Sequence, residues 1–176
     1  MSIQRIVTIG DEMLRKKARH VQGFDSKLHE LLDDMLETML DGEGIGLAAP
    51  QVNVSQQVII VRLPDDEESV EQFGDQAGRL YEAVNPKIIR ASYEMVDGIE
   101  GCLSIPGCVG TVLRHEMIIM RAKNRDGDTI RIKAHGWLAR VFQHEIDHLQ
   151  GVLFIDRAEK IWALREESPQ AVDGIL

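Results

Sequence analysis

The chemistry most legible in the chain sits in the run His144-Glu145-Ile146-Asp147-His148. Two histidines four positions apart lie one turn apart on the same face of a helix, so both imidazoles reach a single cation. Glu145 lies about 100° round the helix from His144, where it can touch a water at that cation without ligating it. This is the H-E-x-x-H arrangement of metal hydrolases: the ion polarises a bond and the carboxylate moves a proton. Chance produces the motif in roughly one chain of this length in a few hundred. The neighbouring residues weigh further against accident. Trp137, Leu138, Val141, Phe142, Ile146 and Leu149 spread round most of a helix, and two rings and a carboxylate inside such a segment are costly unless paired or metal-bound.

A catalytic site of this kind takes three protein ligands and leaves one position open. Downstream of His148 the chain offers no further histidine, and no glutamate before Glu159. The third ligand must come from elsewhere. Glu100-Gly101-Cys102-Leu103-Ser104 supplies a thiol beside a glycine, which makes Cys102 the candidate. Cys108 competes, although a small buried hydrophobe is the simpler reading of it. Two nitrogens and a sulfur suit iron(II), zinc, nickel or cobalt, since geometry and availability select among them.

The elements that must position these groups follow from periodicity. Leu28, Leu31, Leu32, Met35, Leu36 and Met39 predict an amphipathic helix over Ser26–Asp41, capped by Asp25 or Ser26 and ended by Gly42. A short helix is expected near Asp11–Leu14. Strands are expected over Gln57–Leu63, Ala83–Ile89, Thr111–Lys123 and Thr129–Ala134, the last two joined by the turn Asn124-Arg125-Asp126-Gly127. The acidic stretch 64–78 reads as a solvated loop. A buried helix over Gly136–Gln150 carries the histidines, and the short tail 156–176 reads as one or two helical turns that fray at Ser168-Pro169. Helices and short strands without strict alternation predict one α+β domain over residues 1–176, with short antiparallel strands packed around the histidine helix.

Three separated blocks together resemble the peptide deformylase family. Gly44-Ile45-Gly46-Leu47-Ala48-Ala49-Pro50-Gln51 is similar to its G-x-G-L-A-A-x-Q. Glu100-Gly101-Cys102-Leu103-Ser104 is identical to its E-G-C-L-S, and Gln143–Gly151 matches Q-H-E-x-D-H-L-x-G. The resemblance implies an amidohydrolase that removes the formyl group from formylmethionine at the start of a nascent peptide. It implies Cys102, His144 and His148 as metal ligands, iron(II) as the expected metal, and Glu145 as the base. It places the Gln51 side-chain amide and the Leu103 backbone N–H at the developing oxyanion, and lets Gly44, Ile45 and Gly46 pair with the substrate main chain. Arg114 would contact the peptide backbone by the same resemblance, unless it is an ordinary surface arginine. The methionine side chain needs an apolar wall near the metal, for which Trp137 and Val141, in the turns before His144, are candidates. The C-terminal tail does not resemble the basic helix with which some members dock on the ribosome, so that contact is expected to be weak.

Composition bounds the rest. A chain of 176 residues that is 44% hydrophobic builds one substantial core. Its net charge of −9 speaks against gripping nucleic acid by the phosphates. There is no apolar run of membrane-spanning length and no secretory signal pattern, and two cysteines make no disulfide scaffold, so a cytoplasmic enzyme is expected. Two rivals share the histidine helix: a zincin-like endopeptidase, and a non-catalytic module in which Cys102, Cys108, His144 and His148 close a structural zinc site. A structural site needs no base, so Glu145 separates the last of these from the enzyme.

Overall fold

The computed structural model describes residues 2–164. Helix α1 (Ser26–Asp41) forms where its periodicity places it. Asp25 caps it by accepting hydrogen bonds from the N–H groups of Lys27 and Leu28, and Gly42 ends it. Strands β1 (Gly46–Ala48), β2 (Val58–Arg62), β3 (Leu80–Ala91), β6 (Met117–Lys123) and β7 (Thr129–His135) make an antiparallel sheet in the order β1-β2-β3-β6-β7. Strands β4 (Met95–Glu100), β5 (Cys108–His115) and β8 (Lys160–Ala163) make a second antiparallel sheet in the order β4-β5-β8. Helix α2 (Glu67–Phe73) follows β2, while α3 (Gly136–Leu149) and the single turn α4 (Phe154–Arg157) follow β7. The architecture is α+β.

The period of two in β2 sends its side chains to opposite sides of the first sheet. Ile59 and Val61 pack with Tyr81, Ile118, Met120 and Ala134 against Leu138, Val141 and Phe142 of α3. Val58 and Ile60 pack with Leu47 and Val84 against Leu28, Leu32, Met35 and Met39 of α1. Each fully buried side chain of this size contributes about 1.5–3 kcal/mol. The sheet thus lies between two helices, with α3 wedged along β1, β2 and β7. A third cluster of Leu14, Cys102, Ile105, Val112, Leu153 and Phe154 ties the second sheet to the loop that carries Cys102.

Four expectations change. The stretch 64–78 contains α2, because Asp66 accepts hydrogen bonds from both the N–H and the hydroxyl of Ser69 and so caps a helix the acidic composition concealed. Thr111–Lys123 is not one strand. It breaks at Glu116, with β5 in one sheet and β6 in the other. The helix near Asp11 is a 3-10 turn over Glu12–Arg15. The tail continues as α4 and then as strand β8, paired with β5 where Val109 meets Trp162, instead of as helix alone. Its expected end at Ser168-Pro169 lies outside the described residues. Among the described residues no helix is long and apolar enough to cross a membrane.

Candidate metal and catalytic site

Helix α3 delivers His144, Glu145 and His148 to the interior, each no more than 2% exposed. The loop after β4 brings Cys102 to them. One ligand atom each from Cys102, His144 and His148 lies within 4.8 Å of the other two. Cys102 Sγ is 3.3 Å from His148 Nε2, and the two rings meet edge to face with centroids 5.0 Å apart. Ligand atoms on a tetrahedral ion with bonds of about 2.0–2.3 Å are separated by roughly 3.3–3.7 Å, so the spacing suits one cation. Nδ1 of His144 is bound to Glu100 Oε2 at 2.9 Å, which turns its Nε2 toward the group. Cys108 is not part of this cluster, so the four-ligand structural site has no support among the described residues.

The buried groups have unmet demands. Glu145 Oε2 and His148 Nδ1 have no hydrogen-bond partner, a costly state for polar atoms at this depth. Burial, and after it the charge of Glu100, holds the Glu145 carboxyl well above the usual carboxylate range. Burial and then the neighbouring Glu145 push the Cys102 thiol up to about 12. Burial, reinforced by His144 and Arg114, pulls His148 well below the usual imidazole range. A neutral imidazole with a free lone pair is what a cation requires, and a coordinated thiol loses its proton. The residues fit a metal ion.

Around the group, Gln51 is locked by its own backbone turn. Its Oε1 accepts from the Ala48 N–H at 2.8 Å, so its amide nitrogen faces Ser104 Oγ at 3.2 Å and Cys102 Sγ at 3.5 Å. The Leu103 N–H has no acceptor among the described residues. Gly46 lies on β1, an edge strand bonded only to β2 within its sheet. A Cβ there would collide with Glu145 Oε1 and stand 2.9 Å from Val141 Cγ1. Ile45 is buried, and its carbonyl accepts from the Arg62 N–H. The structure therefore brings Gln51, Leu103, Gly46, Val141 and Glu145 to the three candidate ligands.

Two expectations fare differently. Trp137 lies two turns from His144 and walls a cavity of about 280 Å³ with Pro64, Phe73 and the face of α2; none of the metal-group residues lines it. The segment read as a loop supplies the opposing wall, which sequence periodicity did not reveal. Arg114 is neither a surface arginine nor free to meet a peptide backbone. It is 4% exposed, with Nε and Nη2 on the two oxygens of Glu100 at 2.9 Å each and Nη1 on Asp147 at 2.5 Å. Sequence reasoning assigned no part to Glu100, Arg140 or Asp147. Arg140 bonds Glu100 at 2.9 Å and the carbonyls of Val112 and Val96, over Gly98, where a Cβ would stand 2.5 Å from its guanidinium carbon. The signal available in sequence was a pair of arginines and an acidic residue in segments otherwise too apolar to leave them unpaired. Burial raises the Glu100 carboxyl, but the hydrogen bonds from Arg114 and His144 outweigh it and hold the group at about 2.

Comparison with known proteins agrees with this geometry. Residues 3–162 match the polypeptide deformylase family. The chain is 44% identical over 167 residues to a peptide deformylase of Natranaerobius thermophilus, covering 95% of this chain and 98% of that protein. It is 43% identical over 162 residues to peptide deformylase 1 of Bacillus subtilis, covering 92% and 94%. Among solved structures, the Ehrlichia chaffeensis peptide deformylase in complex with actinonin superposes with a TM-score of 0.83 at 40% identity, covering 91% of each chain. The Met-Ala-Ser-bound class I type b peptide deformylase of Acinetobacter baumannii superposes with a TM-score of 0.81 at 36% identity, covering 89% of this chain and 99% of that one. The chain belongs to the polypeptide deformylase family and removes the formyl group from N-terminal formylmethionine.

Proposed function

We propose that Cys102, His144 and His148 hold one divalent cation, iron(II) in the cell and replaceable by zinc, nickel or cobalt, and that Glu145 is the general acid–base of deformylation. The observation that carries the reading is three ligand atoms within 4.8 Å of one another on the helix that bears Glu145, whose Oε2 is buried without a partner. The cation supplies Lewis acidity to the formyl carbonyl and to a water.

The protein supplies the remainder. Glu145, its basicity raised by burial, accepts a proton from the attacking water and returns it to the departing amine, which leaves as a neutral N-terminus, while the formyl carbon leaves as formic acid that gives up its proton to solvent as formate. The Gln51 amide and the Leu103 N–H donate to the oxygen that gains charge as the formyl carbon becomes tetrahedral. The edge of β1 at Ile45 and Gly46 receives the peptide as an added strand. Gly46 is bare because the Glu145 carboxylate and Val141 occupy the volume a side chain would need. Val141, fully buried beside it, contributes to the wall against the methionine side chain. Arg114 and Arg140 act through Glu100, which orients His144 by its Nδ1. The relative from Acinetobacter baumannii carries Met-Ala-Ser, the product-like sequence expected of a formylmethionyl substrate here. Both cysteines are free, as the reducing cytoplasm, where nascent chains are made, would leave them.

The test is anaerobic hydrolysis of formyl-Met-Ala-Ser by protein loaded with iron(II), with metal content measured in parallel. Glu145→Gln should retain the metal and lose about 10²–10⁴-fold in kcat, whereas Cys102→Ala should lose both metal and activity. Cleavage of casein by the wild type would favour the endopeptidase reading, and a Glu145→Gln variant of full activity would remove the assigned base.

A further inference from the structure

The first sheet is covered unevenly. On the side of α3 it is buried from β1 to β7, but on the other side α1 packs only on β1, β2 and the start of β3. The rest of that second side, formed by β3, β6 and β7, carries cations. Registers place Lys87 of β3 opposite Arg121 of β6, and Arg121 opposite Arg131 of β7, so that three cations stand abreast across three strands. The next row on the same side is Arg90, Ile119 and Lys133. Lys123, opposite Val84 of the α1 core, continues the face in the other direction. There β3 bulges between Val84 and Lys87, and a groove of about 790 Å³ opens between Lys17, His20, Lys87, Arg121 and Lys123, with Gln22, Thr129 and Gln150 among its other walls and no carboxylate lining it.

Seven of the chain's 20 lysines and arginines occupy this face and groove. Among the described residues none of the seven has a carboxylate within 4.0 Å. Of the acids beside the hairpin, Glu82 and Asp33 are taken by Arg125, Asp126 in the turn lies 3.9 Å from His29, and Asp128 accepts a hydrogen bond from the Asn124 amide. Like charges directly opposite one another in a sheet are destabilising, and a face that serves solubility mixes both signs. This one does not. The remainder of a molecule of net charge −9 is more acidic still, so the rest of the molecule on balance repels an anionic partner and favours approach to this face.

We propose that this uncovered face of β3, β6 and β7, with its adjoining groove, docks the phosphate backbone of double-stranded RNA. The spacing of strands makes the three-strand face about 10 Å across, a width that suits the wide, shallow minor groove of an A-form helix. Gln22, Gln150 and Thr129 line the adjoining groove and supply amide and hydroxyl groups of the kind that pair with 2′-hydroxyls. No exposed aromatic lies in the three rows to stack on unpaired bases, as single strands require. Between those rows Ile89, at the irregularity of β3 before Arg90, exposes one large apolar side chain, too little apolar surface to insert into a lipid surface. The catalytic helix lies on the opposite side of the sheet, so docking leaves the deformylation site free, and the proposal stands whether or not the roles assigned to Glu145 and Gln51 hold.

The experiment is fluorescence anisotropy of a fluorescein-labelled 16-base-pair RNA duplex titrated with the full metal-loaded chain over a series of KCl concentrations. The wild type should bind at 50 mM KCl and weaken with salt, with a slope of log K on log[KCl] of about −3.5 to −5.5, as four to six phosphate contacts give. Arg121→Glu with Arg131→Glu should bind at least tenfold more weakly with a slope about 2 units shallower. Lys160→Glu, on the other sheet, should bind within twofold of wild type. All should hydrolyse formyl-Met-Ala-Ser at the wild-type kcat/KM. If the charge reversals impair folding, Lys87→Gln with Lys133→Gln takes their place, with an expected loss of about threefold to tenfold. Wild-type protein that leaves the duplex free at 50 mM KCl overturns the proposal, as does retention of full affinity by the substituted face. Equal affinity for the same sequence as DNA, or capture by phosphatidylserine vesicles without RNA binding, overturns the assignment of RNA as the partner.

Discussion

Arginines in two parts of this molecule face opposite circumstances. Beneath α3, Arg114 and Arg140 are 4% and 5% exposed, and their guanidinium groups converge on Glu100, with Arg114 also on Asp147. On the open side of the first sheet, Arg121 stands between Lys87 and Arg131 with no anion beside it. Charge removed from water must be neutralised by the chain itself, since an unpaired buried ion costs several kcal/mol. Charge left in water carries no such obligation and can be kept for a partner. Pairing in the interior serves the metal group, because Glu100 is also what holds His144 Nδ1.

The sharpest way to break the contrast is to remove a partner inside. Arg114→Met leaves Glu100 and Asp147 short of a buried cation and should destabilise the fold by about 3–5 kcal/mol, read from urea unfolding. The acid limb of stability should move with it. The Glu100 carboxyl sits at about 2 in the folded protein against an ordinary 4.5, so its contribution is complete above pH 4.5 and disappears as pH falls toward 2. Without Arg114 the folded value rises toward 4.5, so the loss should still begin near pH 4.5 but end at a higher pH and be smaller in extent. An unfolding profile identical to wild type between pH 5 and 3 would show that Arg114 does not support Glu100.

A smaller effect is expected where the interior meets the substrate. Gly46→Ala places a methyl group against Glu145 Oε1 and Val141 Cγ1. Val141 is β-branched and buried, so the carboxylate is the group that must move. The fold should survive, and kcat/KM for formyl-Met-Ala-Ser should drop about 10²-fold, the order of loss that follows from misplacing a catalytic group by 1 Å. Unchanged kinetics would mean that the volume beside Gly46 is not tied to the position of Glu145.

These regions were unequally visible in the sequence. The histidine helix was legible because a five-residue spacing on an apolar helix is a local signal, and α1 because its cap, stripe and terminator all agree. Cys102 followed from the need for a third ligand. Arg114 was misplaced because its partners lie 14 and 33 positions away, and pairing at that distance leaves no periodicity. The break at Glu116 was hidden because both flanking runs are β-branched, and neither half says which sheet it joins. Strand β1 is three residues long and includes a glycine, and β4 holds Asp97, Gly98 and Glu100, which are poor strand formers held in place by their neighbours. The cationic face escaped notice for a different reason: net charge averages over the surface, whereas cross-strand register gathers Lys87, Arg121 and Arg131 from three separate segments.

The same register gives the mildest test of the comparison. If the row is held together against its own repulsion, diluting it should stabilise the protein, the reverse of what Arg114→Met does. Arg121→Thr keeps a residue suited to a strand and removes the middle charge from between two others. The melting midpoint should rise by about 1–3 °C at low salt, because opposed like charges in a sheet cost a fraction of a kcal/mol each and a chain of this length converts that to a few degrees at most. At 0.5 M KCl, where the screening length falls to a few ångströms, the gain should disappear. A midpoint that falls in both buffers would mean that the aliphatic stem of Arg121 matters more to the sheet than its charge, and the row would then owe its presence to packing.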